Sequence, residues 1–356
     1  MGGTGFPDLD DSGYGIDQVT GESDVDNITR SMARGPRFTY ITSISGAEIP
    51  QGVWDTLSAE GPRTPNNSEV EPAHTQRKSR EKHDGTALHS TQSQTPIECK
   101  EADHWKLRLK ELLAEYRPGQ VRAEQRLKVA ILDSGIDLNH PGFAQEDRIK
   151  KTKSWVGGNV DDTDGHGTHI AGLILELTQN VDLYIAKITT SRDRLESQVE
   201  KIATAIDYAR TKWKVNMMSL SFGFEKPVER IKVELDKCIC DSIIIFAAAS
   251  NDCANSPATY PAAHGQILSI HSASAGKRHN CVRSAKDVEF VTVGECLESS
   301  WPSRDGQVKK YMSGTSFATP VAVSIAAFML GYIDRNVPKP LSHRDWIRNR
   351  GIIVSG

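Results

Sequence analysis

From about residue 101 onward, apolar and polar positions alternate in blocks. In HWKLRLKELLAEY the residues Trp105, Leu107, Leu109, Leu112 and Leu113 recur partly at helical spacing, which predicts an amphipathic helix. LKVAILD, residues 127–133, is a short apolar run that stops at a polar residue and a glycine, and it predicts a strand. HGTHIAGLILEL (166–177) predicts a helix and VDLYIAKI (181–188) a strand. Val199, Ile202, Ala203, Ile206, Ala209 and Trp213 repeat at three and four and form a helix face. VNMMSLSF (215–222) and SIIIFAAAS (242–250) predict strands with a helix between them; QILSIHSA (266–273) and DVEFVTVG (287–294) are strand-like. SFATPVAVSIAAFMLGYI (316–333) is apolar nearly all round, so it predicts a buried helix despite Pro320 in its first turns.

Strands that alternate with helices and are apolar on both faces imply a parallel sheet. The expected fold is α/β with three layers, a mostly parallel sheet flanked by helices on both faces. Ligands in such folds bind beyond the carboxyl ends of the strands. The polar residues that close those strands are therefore where chemistry is expected.

The first hundred residues read differently. Residues 1–60 hold 10 acidic and 3 basic residues, and TPNNSEVEPAHT and HSTQSQTP follow with almost no consecutive apolar positions. Such a segment cannot bury enough surface to offset its ordering entropy, so residues 1–100 are expected to be disordered. The cluster Arg77, Lys78, Arg80 and Lys82 reads as a solvated charge run within that arm. The expected organisation is an arm over 1–100, a helix and linker over 101–120, one folded domain over 126–340 and a tail over 341–356 that matches nothing recognisable.

Composition narrows the function classes. Basic and acidic residues number 43 and 46, a net charge of -3, which gives no electrostatic reason to expect nucleic acid or an anionic membrane as partner. No apolar run is read as reaching the roughly 18 residues of a membrane-spanning helix. The opening MGGTGFPDLDDSGYGIDQ lacks a basic region followed by an apolar core, so a cytoplasmic location is expected. The six cysteines, Cys99, Cys238, Cys240, Cys253, Cys281 and Cys296, contain no CxxC pair and are expected to be free thiols. Asp161, Asp162 and Asp164 fall short of a cation's coordination shell and read as a solvated acidic turn. No metal and no cofactor is expected.

Three glycine-flanked polar clusters carry the chemistry. Asp133 ends LKVAILDSGID, His166 lies within DTDGHGTH, and Ser316 within GTSFATP. A carboxylate, an imidazole and a hydroxyl at element boundaries are the inventory of a nucleophilic triad. The imidazole takes the serine proton, and the carboxylate fixes its tautomer and stabilises the imidazolium. Each cluster alone is a weak signal, because Asp, His and Ser serve as caps and turn formers elsewhere.

Together, VAILDSGID, DGHGTHIAG and GTSFATP resemble the subtilisin-like serine peptidases. The order Asp, His, Ser is the order of that family, and the spacings of 33 and 150 residues are close to its own. The resemblance covers roughly residues 126–335. It implies that Asn251, in FAAASN, and the backbone N–H of Ser316 hold the oxyanion. It also implies that Ser221, Phe222 and Gly223 pair with an extended peptide, and that Ala248 and Ala249 border the pocket for the residue before the cleaved bond. Ser250 stands where the family usually has Gly, a position where positive φ would matter. Phe317 replaces the usual Met after the nucleophile, and Ser324 a common Gly.

The resemblance therefore implies a serine endopeptidase acting on polypeptides through an acyl-enzyme. The competing expectation is a regulatory or peptide-binding module, with latent or no proteolysis, built on the same domain. An α/β-hydrolase esterase is excluded, because the serine box is not GxSxG and the chain order differs.

Overall fold

A computed structural model describes residues 96–115, 123–251, 258–275 and 289–336. Its elements in chain order are α1 (Pro96–Glu115), β1 (Leu127–Asp133), β2 (Ile149–Ser154), α2 (His166–Leu177), β3 (Val181–Lys187), α3 (Val199–Tyr208) and β4 (Met217–Leu220). There follow α4 (Glu229–Cys240), β5 (Ile244–Ala248), β6 (Leu268–Ala273), β7 (Glu289–Val293), β8 (Leu297–Ser300), β9 (Lys309–Met312) and α5 (Thr315–Asn336). The expectations for residues 1–95 and for the tail 341–356 lie outside the described residues.

Seven strands form one sheet in the order β2-β3-β1-β4-β5-β6-β7, and every pairing in it is parallel. β1 shows why. Val129 and Ile131 point into one apolar cluster, and Ala130 and Leu132 into the other. A strand apolar on both faces has to be covered on both. The helices α2 and α5 cover one face through Ile170, Ile174, Val323 and Ala327. On the other face, α3 and α4 contribute Ile202, Ile206, Ile231 and Leu235. Each such fully buried aliphatic side chain contributes roughly 1.5–3 kcal/mol relative to exposure. The three-layer α/β fold is as expected.

Two elements were not expected. β2 reads IKKTKS, and its exposed Lys150, Lys151 and Lys153 suit the sheet edge it forms, where charge opposes further strand pairing. The second is the antiparallel hairpin β8–β9, with Leu297 opposite Met312. It leads directly into α5.

The first helix begins at Pro96, five residues before the expected start of order. Its buried stripe is Ala102, Lys106, Leu109 and Leu113, at helical spacing. Leu107, expected on the apolar face, is 52% exposed. The stripe packs on Leu173 and Leu177 of α2 and on Val321, Phe328 and Met329 of α5. Lys106 Nζ enters this layer because it donates to the Glu298 carbonyl at 2.6 Å and pairs with Glu176 at 3.3 Å.

Docking of α1 also corrects the expectation of free thiols throughout. It brings Cys99 within a Cα–Cα distance of 4.9 Å of Cys296, and the two form a disulfide. Cys238 and Cys240 are free, the first buried, with burial pushing its thiol up to about 12. Cys253 and Cys281 lie outside the described residues.

By length and composition the segment Thr315–Tyr332 could cross a bilayer, contrary to the expectation from the sequence, but 83% of it is buried within the fold. It is the central core helix.

Candidate active site

Asp133 closes β1, where the sheet carries its carboxylate to the carboxyl-end face. Its Oδ1 lies 2.8 Å from Nδ1 of His166, the first residue of α2. The same Oδ1 accepts from the backbone N–H of Ser134 at 2.8 Å and from its hydroxyl at 3.2 Å. Ser134 Oγ in turn accepts the N–H of Gly167 at 3.0 Å, so the aspartate and histidine boxes are stitched together behind the Asp133–His166 contact. Glycine permits this contact. A Cβ on Gly167 would meet the Gly135 carbonyl at 2.2 Å.

The start of α2 is fixed by Asp162. Its Oδ1 accepts from Gly165 N at 2.7 Å, and its Oδ2 from Thr168 N at 2.8 Å and Thr168 Oγ1 at 2.7 Å. Asp162 is 2% exposed. The solvated acidic turn expected here is thus corrected for Asp162. Its carboxylate satisfies the orphan N–H groups of a helix terminus, and negative charge is favourable there. Among the described residues no cluster of His, Cys, Asp and Glu has the makings of a metal site.

Ser316 sits in the first turn of α5. Pro320 explains a contact that its box makes. Lacking an N–H, it leaves the carbonyl four residues back, that of Ser316, without its helical donor. Ser221 Oγ donates to that carbonyl at 3.0 Å. In return Ser316 Oγ donates to the Ser221 carbonyl at 3.3 Å. The serine and the expected substrate strand are thereby tied reciprocally. Ser316 is 0% and His166 1% exposed, so both are covered. The Phe317 ring bridges the two boxes, with centroids 5.2 Å from His166 and 4.7 Å from His169.

Asn251 reaches the same place from the far end of β5. Its Oδ1 accepts the N–H of Thr315 at 2.8 Å. That fixes the amide so that Nδ2, which is buried, is directed elsewhere and has no acceptor among the described residues. The N–H of Ser316 belongs to a first helical turn and has no intrahelical acceptor. A buried side-chain amide donor therefore lies beside a helix N-terminus, an arrangement that suits negative charge. Ser250 is not among the described non-glycine residues with positive φ, which are Lys214, Ser242 and Cys296, so its replacement of Gly carries no strain of that kind.

The expected substrate residues divide. Ser221, Phe222 and Gly223 follow β4 without entering its ladder, which leaves backbone for an added strand. The Phe222 ring is buried against Phe224, with centroids 6.0 Å apart, and belongs to the core. Ala248 and Ala249 are fully buried, and the Ala249 carbonyl accepts Thr315 Oγ1 at 3.1 Å. Ser324, in place of the family's Gly, is satisfied by donating to the Pro320 carbonyl at 2.8 Å.

Sequence reasoning passed over His169, one turn beyond His166. It is fully buried, with Nε2 between the Leu297 carbonyl at 3.1 Å and the Lys310 carbonyl at 3.0 Å. Its spacing of three from His166 was the available signal.

Comparison with known proteins agrees with this geometry. The model that describes the Subtilase family matches residues 124–350. The chain is 28% identical over 256 residues to the subtilisin-like protease het-Q2 of Podospora anserina, an alignment covering 58% of this chain and 70% of that one. It is 28% identical over 243 residues to the major intracellular serine protease of Bacillus subtilis, covering 62% and 73%. To the subtilisin of Bacillus pumilus it is 27% identical over 220 residues, covering 57% and 76%. Fold, motif order and family match lead to one conclusion: the chain belongs to the subtilase family and is a serine-type endopeptidase.

Proposed function

We propose that Ser316 is the nucleophile, His166 its general base and then the acid to the leaving amine, and Asp133 the group that orients and stabilises the imidazolium. Asn251 Nδ2 and the Ser316 N–H take the oxyanion. The observation that carries this reading is the 2.8 Å contact from Asp133 to His166 Nδ1, which leaves Nε2 as the nitrogen for the serine proton. The substrate is an extended segment of polypeptide that adds to Ser221–Gly223 as a strand, with Ala248 and Ala249 at the wall of the pocket.

Binding itself aligns the nucleophile in this account. The Ser221 carbonyl is occupied by Ser316 Oγ. A peptide N–H that pairs with that carbonyl displaces the hydroxyl, which then turns to His166. Attack gives the tetrahedral intermediate, collapse expels the amine with the His166 proton, and water repeats the sequence on the acyl-enzyme. The test is turnover of casein by the purified chain and by Ser316→Ala. The variant is expected to lose activity by about 10⁴-fold or more; retained turnover refutes the assignment.

A second reading, a peptide-binding module with latent proteolysis, is favoured by one observation. The nucleophile is buried and its hydroxyl is engaged by the Ser221 carbonyl. Binding of a peptide that competes at Ser221, without cleavage, would support it. An intracellular site of action is part of the first reading, on the likeness to a relative named as an intracellular protease. The Cys99–Cys296 disulfide weighs the other way, since such bonds persist in oxidising compartments. The thiol state of Cys99 in protein isolated under alkylating conditions separates the two locations.

A further inference from the structure

We propose that His169 is a positioning residue: by binding the backbone of both strands of the β8–β9 hairpin, it holds the segment leading to Ser316 in register with the helix that carries His166. This rests on the triad reading given above.

The geometry is specific. His169 lies three residues after His166 on α2, so the two imidazoles share a helix face. Its Nε2 faces two carbonyls, Leu297 on β8 and Lys310 on β9. Two acceptors against one ring nitrogen fix the tautomer, because only a protonated Nε2 satisfies them. Ser299 Oγ, also on β8, donates back to the His169 carbonyl at 2.9 Å. Hairpin and helix are therefore joined in both directions. From Lys310 only five residues intervene before Ser316. Within them, Ser313 Oγ accepts Cys296 N at 2.6 Å, and Gly314 N donates to the Gly294 carbonyl at 2.9 Å. A shift of the hairpin is thus passed to the nucleophile with little room for absorption.

The Phe317 ring gives a second link. It meets His169 at 4.7 Å and His166 at 5.2 Å, both edge-on, and follows the nucleophile directly. Complete burial pushes the His169 imidazole down to about 3, so the ring stays neutral and in one tautomer at any working pH. An apolar core residue would fill this volume equally well. It would not bind both strands.

The experiment compares casein and peptide hydrolysis by the wild-type chain with His169→Met, His169→Asn and His169→Gln. Rates are expressed per active site, titrated with a fluorophosphonate. Met fills the volume without a donor, and Asn keeps a donor that is too short to reach the hairpin. Both are expected to lower kcat about 10- to 100-fold, the scale of a misplacement near 1 Å, with KM within about twofold. Gln carries two N–H groups at nearly the reach of Nε2 and is expected to keep kcat within about threefold of wild type. A kcat in the Asn or Met variant within threefold of wild type overturns the proposal, as does a loss that appears in KM. If the Met variant does not fold, the Asn variant, smaller and polar, reads the same link. Silent wild type would instead refute the peptidase reading itself, which the Ser316→Ala control identifies.

Discussion

Two faces of α2 are built on different principles. Its N-terminal end meets the end of β1 and the loop leading into it through polar groups at fixed distances: Asp133 on His166, Ser134 on Gly167, Asp162 on Thr168. Its outer face meets α1 through Leu173 and Leu177 against Leu109 and Leu113, with the buried Lys106 paired to Glu176, while a disulfide ties α1 to Cys296 just before β8. The first contact is directional, and a small displacement removes it. The second is apolar packing, whose strength follows area and tolerates small shifts. Changes at the first face should therefore act on rate at little cost in stability. Changes at the second should act on stability with rate per folded molecule unchanged.

The sharpest break of that contrast is Asn251→Ala. Removing one oxyanion donor is expected to lower kcat about 10²- to 10³-fold with KM nearly unchanged, measured by steady-state hydrolysis of a peptide substrate. Unfolding should cost only about 0.5–2 kcal/mol, the scale of a lost helix cap, because the Oδ1 that accepts the Thr315 N–H is removed together with Nδ2; rates are therefore compared per titrated site. Leu109→Ala is its counterpart on the outer face. A fully buried Leu cut to Ala is expected to cost about 2–5 kcal/mol in denaturant unfolding, with kcat per titrated site unaltered. A kcat loss in that variant would merge the two faces.

Cys99→Ser asks whether the disulfide belongs to the same layer. It links residues 197 positions apart, and its loss is expected to cost about 2–4 kcal/mol. Wild-type protein in reductant should show the same loss, and the serine variant should no longer respond to reductant.

A further effect is pH-dependent and vanishes near neutral pH. His169 is held near 3 in the fold by burial, against an ordinary value of 6.5. Between those values the unfolded chain binds a proton that the folded chain does not. Stability from this group is therefore full above about pH 6.5 and falls by about 1.4 kcal/mol per pH unit as pH drops toward 3. Melting curves of wild type and His169→Gln across pH 4–7 should diverge in slope, the variant being flatter. Equal slopes would show that other groups set the acid limb.

Much of the fold and of the site is legible in the amino-acid sequence itself. The three glycine-flanked boxes are visible because close backbone approach demands glycine, as at Gly135 and Gly167, and leaves a mark in the sequence. The parallel sheet is legible because strands such as LKVAILD are apolar on both faces. The features that escape the sequence lack such a mark. β2 is a lysine-rich edge strand without apolar alternation and reads as polar loop. Four-residue strands, as in β8 and β9, are too short for periodicity to register. The pairing of Cys99 with Cys296 depends on where α1 docks, and no local spacing encodes that. Leucines alone give only part of the α1 stripe: Leu109 and Leu113 belong to it and Leu107 does not. The fold instead buries Ala102 and Lys106, the latter because Glu298 and Glu176 satisfy its ammonium. Phe222, expected within the strand, lies just beyond β4, and its ring is buried in the core against Phe224, which hydrophobicity alone does not distinguish from a substrate contact.

The most direct test of the central claim is labelling of the purified chain with a fluorophosphonate probe, with the modified residue identified by mass spectrometry. The account predicts a single adduct on Ser316 that is absent in Ser316→Ala and forms faster when a peptide occupying Ser221–Gly223 on the acyl side draws the hydroxyl off the Ser221 carbonyl. Folded protein that takes no label at Ser316, with or without such a peptide, would contradict it.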